Sequence, residues 1–118
     1  MDYFKLLRNE NVADLDKYLK THDVNEDIYD QSLLYWAVYE NSYAFTQRLI
    51  QHGVNVNKKD KLNRTVLHIA CYFGFYNIAK LLLQNGAIRD TTCFERALSG
   101  WDGHYQSEII DLLRKYAP

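Results

Sequence analysis

The chain has 118 residues, 25% of them charged and 47% hydrophobic, with a formal net charge of −1. That is the length of one domain with a modest core and the composition of a soluble globular protein. The near-zero balance gives no whole-molecule field to gather nucleic acid or an anionic membrane surface.

No apolar run approaches the roughly 20 residues that span a bilayer. The opening Met1-Asp2-Tyr3-Phe4-Lys5 lacks a basic n-region followed by an apolar h-region, so no signal peptide is expected. Two cysteines, Cys71 and Cys93, are too few for a disulfide framework, and without an export signal they read as reduced thiols in a cytoplasm. The single proline is Pro118, so no proline-rich linker divides the chain. The expectation is one domain over 1–118, with no second domain attached.

In chain order, residues 1–27 predict two short helices, with Phe4 and Leu7 on the buried side of the first. Leu15, Leu19, His22 and Val24 of this segment fall on Phe45, Leu49, His52 and Val54 under a shift of 30. Residues 28–59 predict a short helix around Leu33–Ala37, a turn at Asn41, a longer helix and a stop at Gly53. A shift of 33 lays this segment on the next one, residues 60–92. Ser32 then falls on Thr65, Ala37 on Ala70, Asn41 on Gly74, Phe45 on Ile78, Leu49 on Leu82 and Gly53 on Gly86. Asn and Gly most easily take the left-handed conformation that ends a helix, so the equivalence is physical as well as formal. Residues 93–118 predict a short helix over Phe94–Ser99 and an amphipathic one over Glu108–Tyr116, with Ile109, Leu112 and Leu113 inward. The connection Gly100–Tyr105 between them is longer than its equivalents, and the loop before Ala97 is shorter than the one before Ala70.

A helix pair with one apolar face cannot bury it alone and has to stack on a copy of itself. The pattern of residues 60–90 resembles an ankyrin repeat. The resemblance rests on Thr65-x-Leu67-His68-x-Ala70, Gly74, Ile78, Leu82-Leu83 and Gly86-Ala87, with Asp60 in the loop. Val66 stands where the family has proline, and Asn63, which tolerates the same left-handed turn, where it has glycine. The segment 32–57 matches less closely, with Tyr35 in the histidine position. The resemblance implies an all-α solenoid of about four stacked helix-turn-helix repeats, near 1–27, 28–59, 60–92 and 93–118, with short finger loops.

Among chemical candidates, His68 and Cys71 lie three apart on one helix, a spacing open to two metal ligands. Zinc needs three or four, and no further spacing matches. In the family the motif histidine hydrogen-bonds the adjoining loop, and the resemblance gives His68 that role and Cys71 a small buried position. His22 and His52 read as polar helix ends. Asp102 and His104 read as a polar pair in a turn. Cys93, opening an irregular connection, is expected to be partly exposed. No triad order, phosphate loop or HExxH is present, so no catalytic residue, cofactor or metal is expected.

Ten tyrosines, five phenylalanines and two tryptophans are many for this length. Phe4, Tyr18 and Phe45 read as core. The family's variable positions on the first helix of each repeat face a concave groove, which implies Tyr39, Glu40, Tyr72 and Phe73 as partner contacts, with Trp36 beside them. Tyr29, Leu62 and Trp101 are expected as further partner contacts. Acidic Asp23, Glu26, Asp27 and Asp30 and basic Lys58, Lys59, Lys61 and Arg64 fall on successive loops. Of these, Asp27, Asp30, Lys59, Lys61 and Arg64 are expected to surround the aromatics and to set orientation and encounter rate. The function expected is a protein-binding module, monomeric when free, that binds neither nucleic acid nor membrane. Size and resemblance favour a stoichiometric inhibitor, such as an immunity protein occluding a toxin or enzyme; the rival is an adaptor bridging two proteins.

Overall fold

The computed structural model describes residues 2–116. Among them are eight helices: α1 (Tyr3–Arg8), α2 (Val12–Tyr18), α3 (Leu33–Tyr39), α4 (Tyr43–Gln51), α5 (Val66–Phe73), α6 (Tyr76–Gln84), α7 (Thr91–Leu98) and α8 (Ser107–Lys115). A two-residue strand β1 (Asp27–Ile28) pairs antiparallel with β2 (Gln31–Ser32) ahead of α3. The chain forms two compact units, one ending at Asn55 and the other beginning at Val56. Each holds two helix pairs.

Local chemistry fixes where six of the eight helices start. Asp2, Asn11, Ser32, Ser42, Thr65 and Asp90 each accept a backbone N–H from the first turn of the helix they precede. This satisfies donors that a helix start otherwise leaves orphaned. Asn41 (φ 56°) and Gly74 (φ 74°) turn the chain left-handed after α3 and α5, as their equivalence in the sequence implies. A Cβ at Gly74 would come within 2.7 Å of the end of the Gln106 side chain, which is free to give way, so it is the left-handed backbone that favours glycine there.

In the first unit the Tyr3 ring packs 5.7 Å from Tyr18 and 5.9 Å from Phe45, and its hydroxyl donates to the Leu33 carbonyl at 2.7 Å. Burial pushes this phenol far above the ordinary tyrosine range. Leu7, Leu15, Leu34, Val38 and Leu49 complete the core. Phe4 is half-buried and not a core residue, because Tyr3 takes the inner face of α1 and turns Phe4 to its flank. On the outer side, Asp16 receives both Arg48 and His52. His22 lies beyond the end of α2 and pairs with Glu26.

In the second unit Leu67, Ala70, Ile78, Leu82, Ala97, Ile109 and Leu113 form the core. Helix α7 begins at Thr91, ahead of the Phe94 start expected from the sequence, because Asp90 caps it. One device recurs in both units. Asn25 accepts the Asn55 N–H at 2.7 Å, and Asn57 accepts the Ile88 N–H at 2.8 Å and donates to the Gly86 carbonyl at 3.0 Å. Each asparagine thereby pins the loop of its own repeat to the turn that closes the next.

Candidate partner-binding surfaces

In the first unit the hairpin turn, Tyr29 (φ 51°) and Asp30 (φ 67°), is left-handed at both central residues, as a two-residue type I′ turn requires. Neither is glycine, and Tyr29, 82% exposed, is steadied by stacking on Phe4 at 5.9 Å. Trp36 meets Phe4 edge-on at 5.2 Å and donates its indole N–H to the Ile28 carbonyl at 2.9 Å. Tyr35 sits edge-on to Trp36 and stacks on Tyr39. The expected contacts Tyr29, Trp36 and Tyr39 thus belong to one ring cluster, completed by Phe4 and Tyr35. Trp36 is half-buried and holds the cluster together, while Tyr39 is 46% exposed and adjoins exposed Glu40. The cavity beside it, about 70 Å³ between Phe4, Leu7, Arg8 and Glu40, has room for little more than a pair of waters.

In the second unit Asp60 organises the finger loop. Its carboxylate accepts the N–H groups of Leu62 and Arg64 and the Arg64 Nε–H, all at 2.9 Å, while its own N–H donates to the Arg64 carbonyl. Burial pushes the Asp60 carboxyl up, but the Arg64 backbone and guanidinium bonds outweigh it and hold the group below the ordinary carboxylate range. Asn63 (φ 63°) makes the left-handed turn. Lys59, Lys61 and Leu62 project from the loop, Leu62 at 71% exposure. Arg64, expected as an open surface charge, is instead half-buried against Asp60.

At the end of α5, Tyr72 and Phe73 are half-buried where open rings were expected. They meet edge-on at 5.1 Å, and Phe73 stacks on Phe75 at 5.4 Å. The Tyr72 carbonyl accepts the Trp101 N–H at 2.9 Å, which lays the long connection after α7 against α5 and leaves Trp101 58% exposed. Gly100 makes this approach possible, since a Cβ there would lie 2.9 Å from the Tyr72 carbonyl oxygen. A cavity of about 260 Å³ opens between Arg64, His68, Ile69, Tyr72 and Arg96. The sequence reading missed Arg96; its signal was the Asp90 cap, which sets the phase of α7. Asp102 and His104 do pair in their turn.

The chemical cluster differs from the one the sequence offered. Cys93 is 0% exposed, because the early start of α7 swings it inward to Cys71, His68 and Asp90. Donor atoms of His68, Asp90 and Cys93 lie within 4.8 Å of one another, a set drawn from two helices that no local spacing reveals. The hydrogen-bond pattern decides what this set can do. His68 Nδ1 accepts the Thr65 N–H at 3.1 Å, so the ring proton sits on Nε2 and is donated to Asp90 at 2.9 Å. Nε2 therefore has no lone pair for a metal unless the α5 capping box breaks. The Cys71 thiol, with support from His68, lowers the Cys93 thiol against its burial, while Cys71 is raised. The arrangement is a buried polar joint between the two helices.

A family model for ankyrin repeats, in three copies, matches residues 4–95. The chain is similar to human "Protein phosphatase 1 regulatory subunit 27", with 29% identity over 108 residues that cover 89% of this chain and 66% of the relative. It is similar to yeast "Ankyrin repeat-containing protein YIL001W", with 46% identity over 69 residues, 58% of this chain and 13% of that one. The chain thus spans just under two thirds of the human relative it matches. Among solved structures, the ankyrin repeat domain of Bcl-3 superposes with a TM-score of 0.62 at 29% identity, over 80% of this chain and 42% of that one.

Proposed function

Because the chain belongs to the ankyrin-repeat family, whose repeats are protein-interaction modules, we propose that it is a stoichiometric regulator that binds an enzyme or toxin and occludes it. The contacts assigned are Tyr29, Trp36, Tyr39 and Glu40 in the first unit, and Lys59, Lys61, Leu62, Arg64, Tyr72, Phe73 and Trp101 in the second. The observation that carries this reading is the way the aromatics are held. Trp36 is pinned by its indole N–H, and Tyr72 is braced by Phe73 and by the Trp101 backbone. Exposed Tyr29, Tyr39 and Trp101 stand on those supports. Rings ordered before binding lose little entropy on docking, which is what interface anchors need. The human relative's description as a regulatory subunit supports control of an enzyme by binding.

Bridging of two proteins is the second reading, and one observation favours it: each compact unit carries exposed aromatic rings of its own, Tyr29 and Tyr39 in the first and Trp101 in the second. A photo-crosslinking residue in place of Tyr39, or of Trp101, tests both readings, with Tyr43 on α4 as the control position. Capture of the same protein from both positions, at one-to-one stoichiometry and with loss of that protein's activity, supports the regulator. Two different proteins captured from the two positions support the adaptor. Equal capture from Tyr43 removes both.

A further inference from the structure

We infer that the cavity between α5 and α7 is an acid-selective pocket, which takes an aspartate or glutamate side chain of a bound protein segment. The inference rests on the protein-binding reading and names what one part of that surface recognises. His68, Ile69 and Tyr72 lie at helical spacing on α5 and supply the wall, while Arg64 from the finger loop and Arg96 from α7 supply charge. At about 260 Å³ the space is smaller than the pockets that enclose whole small ligands, and it suits one or two side chains.

Charge counting chooses the occupant. Arg64 is compensated by Asp60, whose bond to Nε also fixes the guanidinium in place. Neutral His68 donates its Nε2 proton to Asp90 and adds no charge of its own, and the Asp90 carboxylate is not among the residues that line the cavity. Arg96 makes no ion pair among the described residues, and it is exposed at the cavity mouth. Glu95 is its neighbour in sequence, but adjacent residues on a helix point about 100° apart and do not face each other. The pocket therefore carries one uncompensated guanidinium beside a second, pre-oriented one. One carboxylate matches that balance, and the planar fork of arginine fits a carboxylate with two parallel hydrogen bonds. The tyrosine face and Ile69 accept the aliphatic stem. A phosphate, with nearly two charges, asks for more cation than is present.

The test uses three pools of end-blocked heptapeptides, random except at the centre, which is fixed as Glu, Gln or phosphoserine. Each is titrated into the full chain while amide and arginine Nε–H signals are followed by NMR. The Glu pool is expected to shift Arg64, Arg96, Ile69 and Tyr72 signals saturably, with the Gln pool at least tenfold weaker. Arg96→Gln is expected to weaken the Glu response about tenfold, in keeping with the loss of a charge-assisted contact. It should leave the melting temperature unchanged, since the side chain is exposed. Lys80→Gln, an exposed cation on α6, should change nothing. Equal responses to Glu and Gln, no response to either, or a response that survives Arg96→Gln overturns the pocket; a stronger phosphoserine response overturns the carboxylate assignment. A protein captured from Trp101 that binds Arg96→Gln undiminished would remove this pocket and leave the protein-binding reading standing.

Discussion

His68 Nε2 donates to the Asp90 carboxylate at 2.9 Å, so the ring that closes the capping box of α5 also holds the residue that caps α7. One buried imidazole thereby sets the phase of two helices in successive repeats. That phase carries Cys93 inward and brings Arg96 to the cavity beside Tyr72.

This joint is expected to make the fold acid-sensitive. Burial pushes the Asp90 carboxyl up, but the His68 bond and the Cys93 N–H outweigh it and hold the group below its ordinary value. A carboxyl depressed in the folded state stabilises fully above its unfolded value, near 4, and loses that contribution as pH falls through the folded value. Asp60 acts in the same sense. Thermal melts are expected to lose stability progressively as pH falls below about 4. Asp90→Asn should melt lower than wild type at pH 7 and show a shallower acid decline. An unchanged acid profile in that variant would contradict the role given to the pair.

Leu82 is fully buried in the core of the second unit. Leu82→Ala is expected to cost about 2–5 kcal/mol, as truncations of buried leucine do when the site collapses only in part. Denaturant melts read this directly, and a loss under about 1 kcal/mol would contradict the repeat register.

The tautomer imposed on His68 predicts that purified protein carries no stoichiometric zinc and that chelation leaves its melting temperature unchanged. Elemental analysis finding one equivalent would overturn that account. Because Cys71 and Cys93 are both buried, a thiol reagent is expected to react with neither in the native protein on the timescale that suffices for both in denaturant. Fast native labelling of Cys93 would show that α7 opens readily.

What the sequence made legible was whatever the backbone enforces locally. Asn41, Asn63 and Gly74 announce left-handed turns, and the spacing Thr65-x-Leu67-His68-x-Ala70 announces a helix and its cap; all four features stand in the structure. Phase was harder to read in short helices. In α1, aromatic and leucine residues fill positions 3, 4, 6 and 7, so either Tyr3 or Phe4 fits the inner face, and only the contact with Phe45 chooses Tyr3. The joint of His68, Asp90 and Cys93 was not legible, because it depends on where α7 starts. Two threonines there, poor helix formers, hid a start that the Asp90 cap enforces. The half-buried state of Tyr72 likewise depends on a distant residue, Trp101, folding back onto its carbonyl.

The central claim is that ordered aromatic surfaces bind a protein, and titration calorimetry of the captured partner against a double variant tests it most directly. Tyr72→Ala combined with Phe73→Ala is expected to weaken binding by orders of magnitude while helical content is retained, since truncated anchors commonly cost about 2 kcal/mol or more apiece. Tyr39→Ala, on an exposed ring of the other unit, gives a second reading that does not depend on packing around α5. Undiminished affinity in both variants, with the fold intact, would contradict the claim. Unfolding of the double variant beside normal binding by Tyr39→Ala would return Tyr72 and Phe73 to a purely structural role.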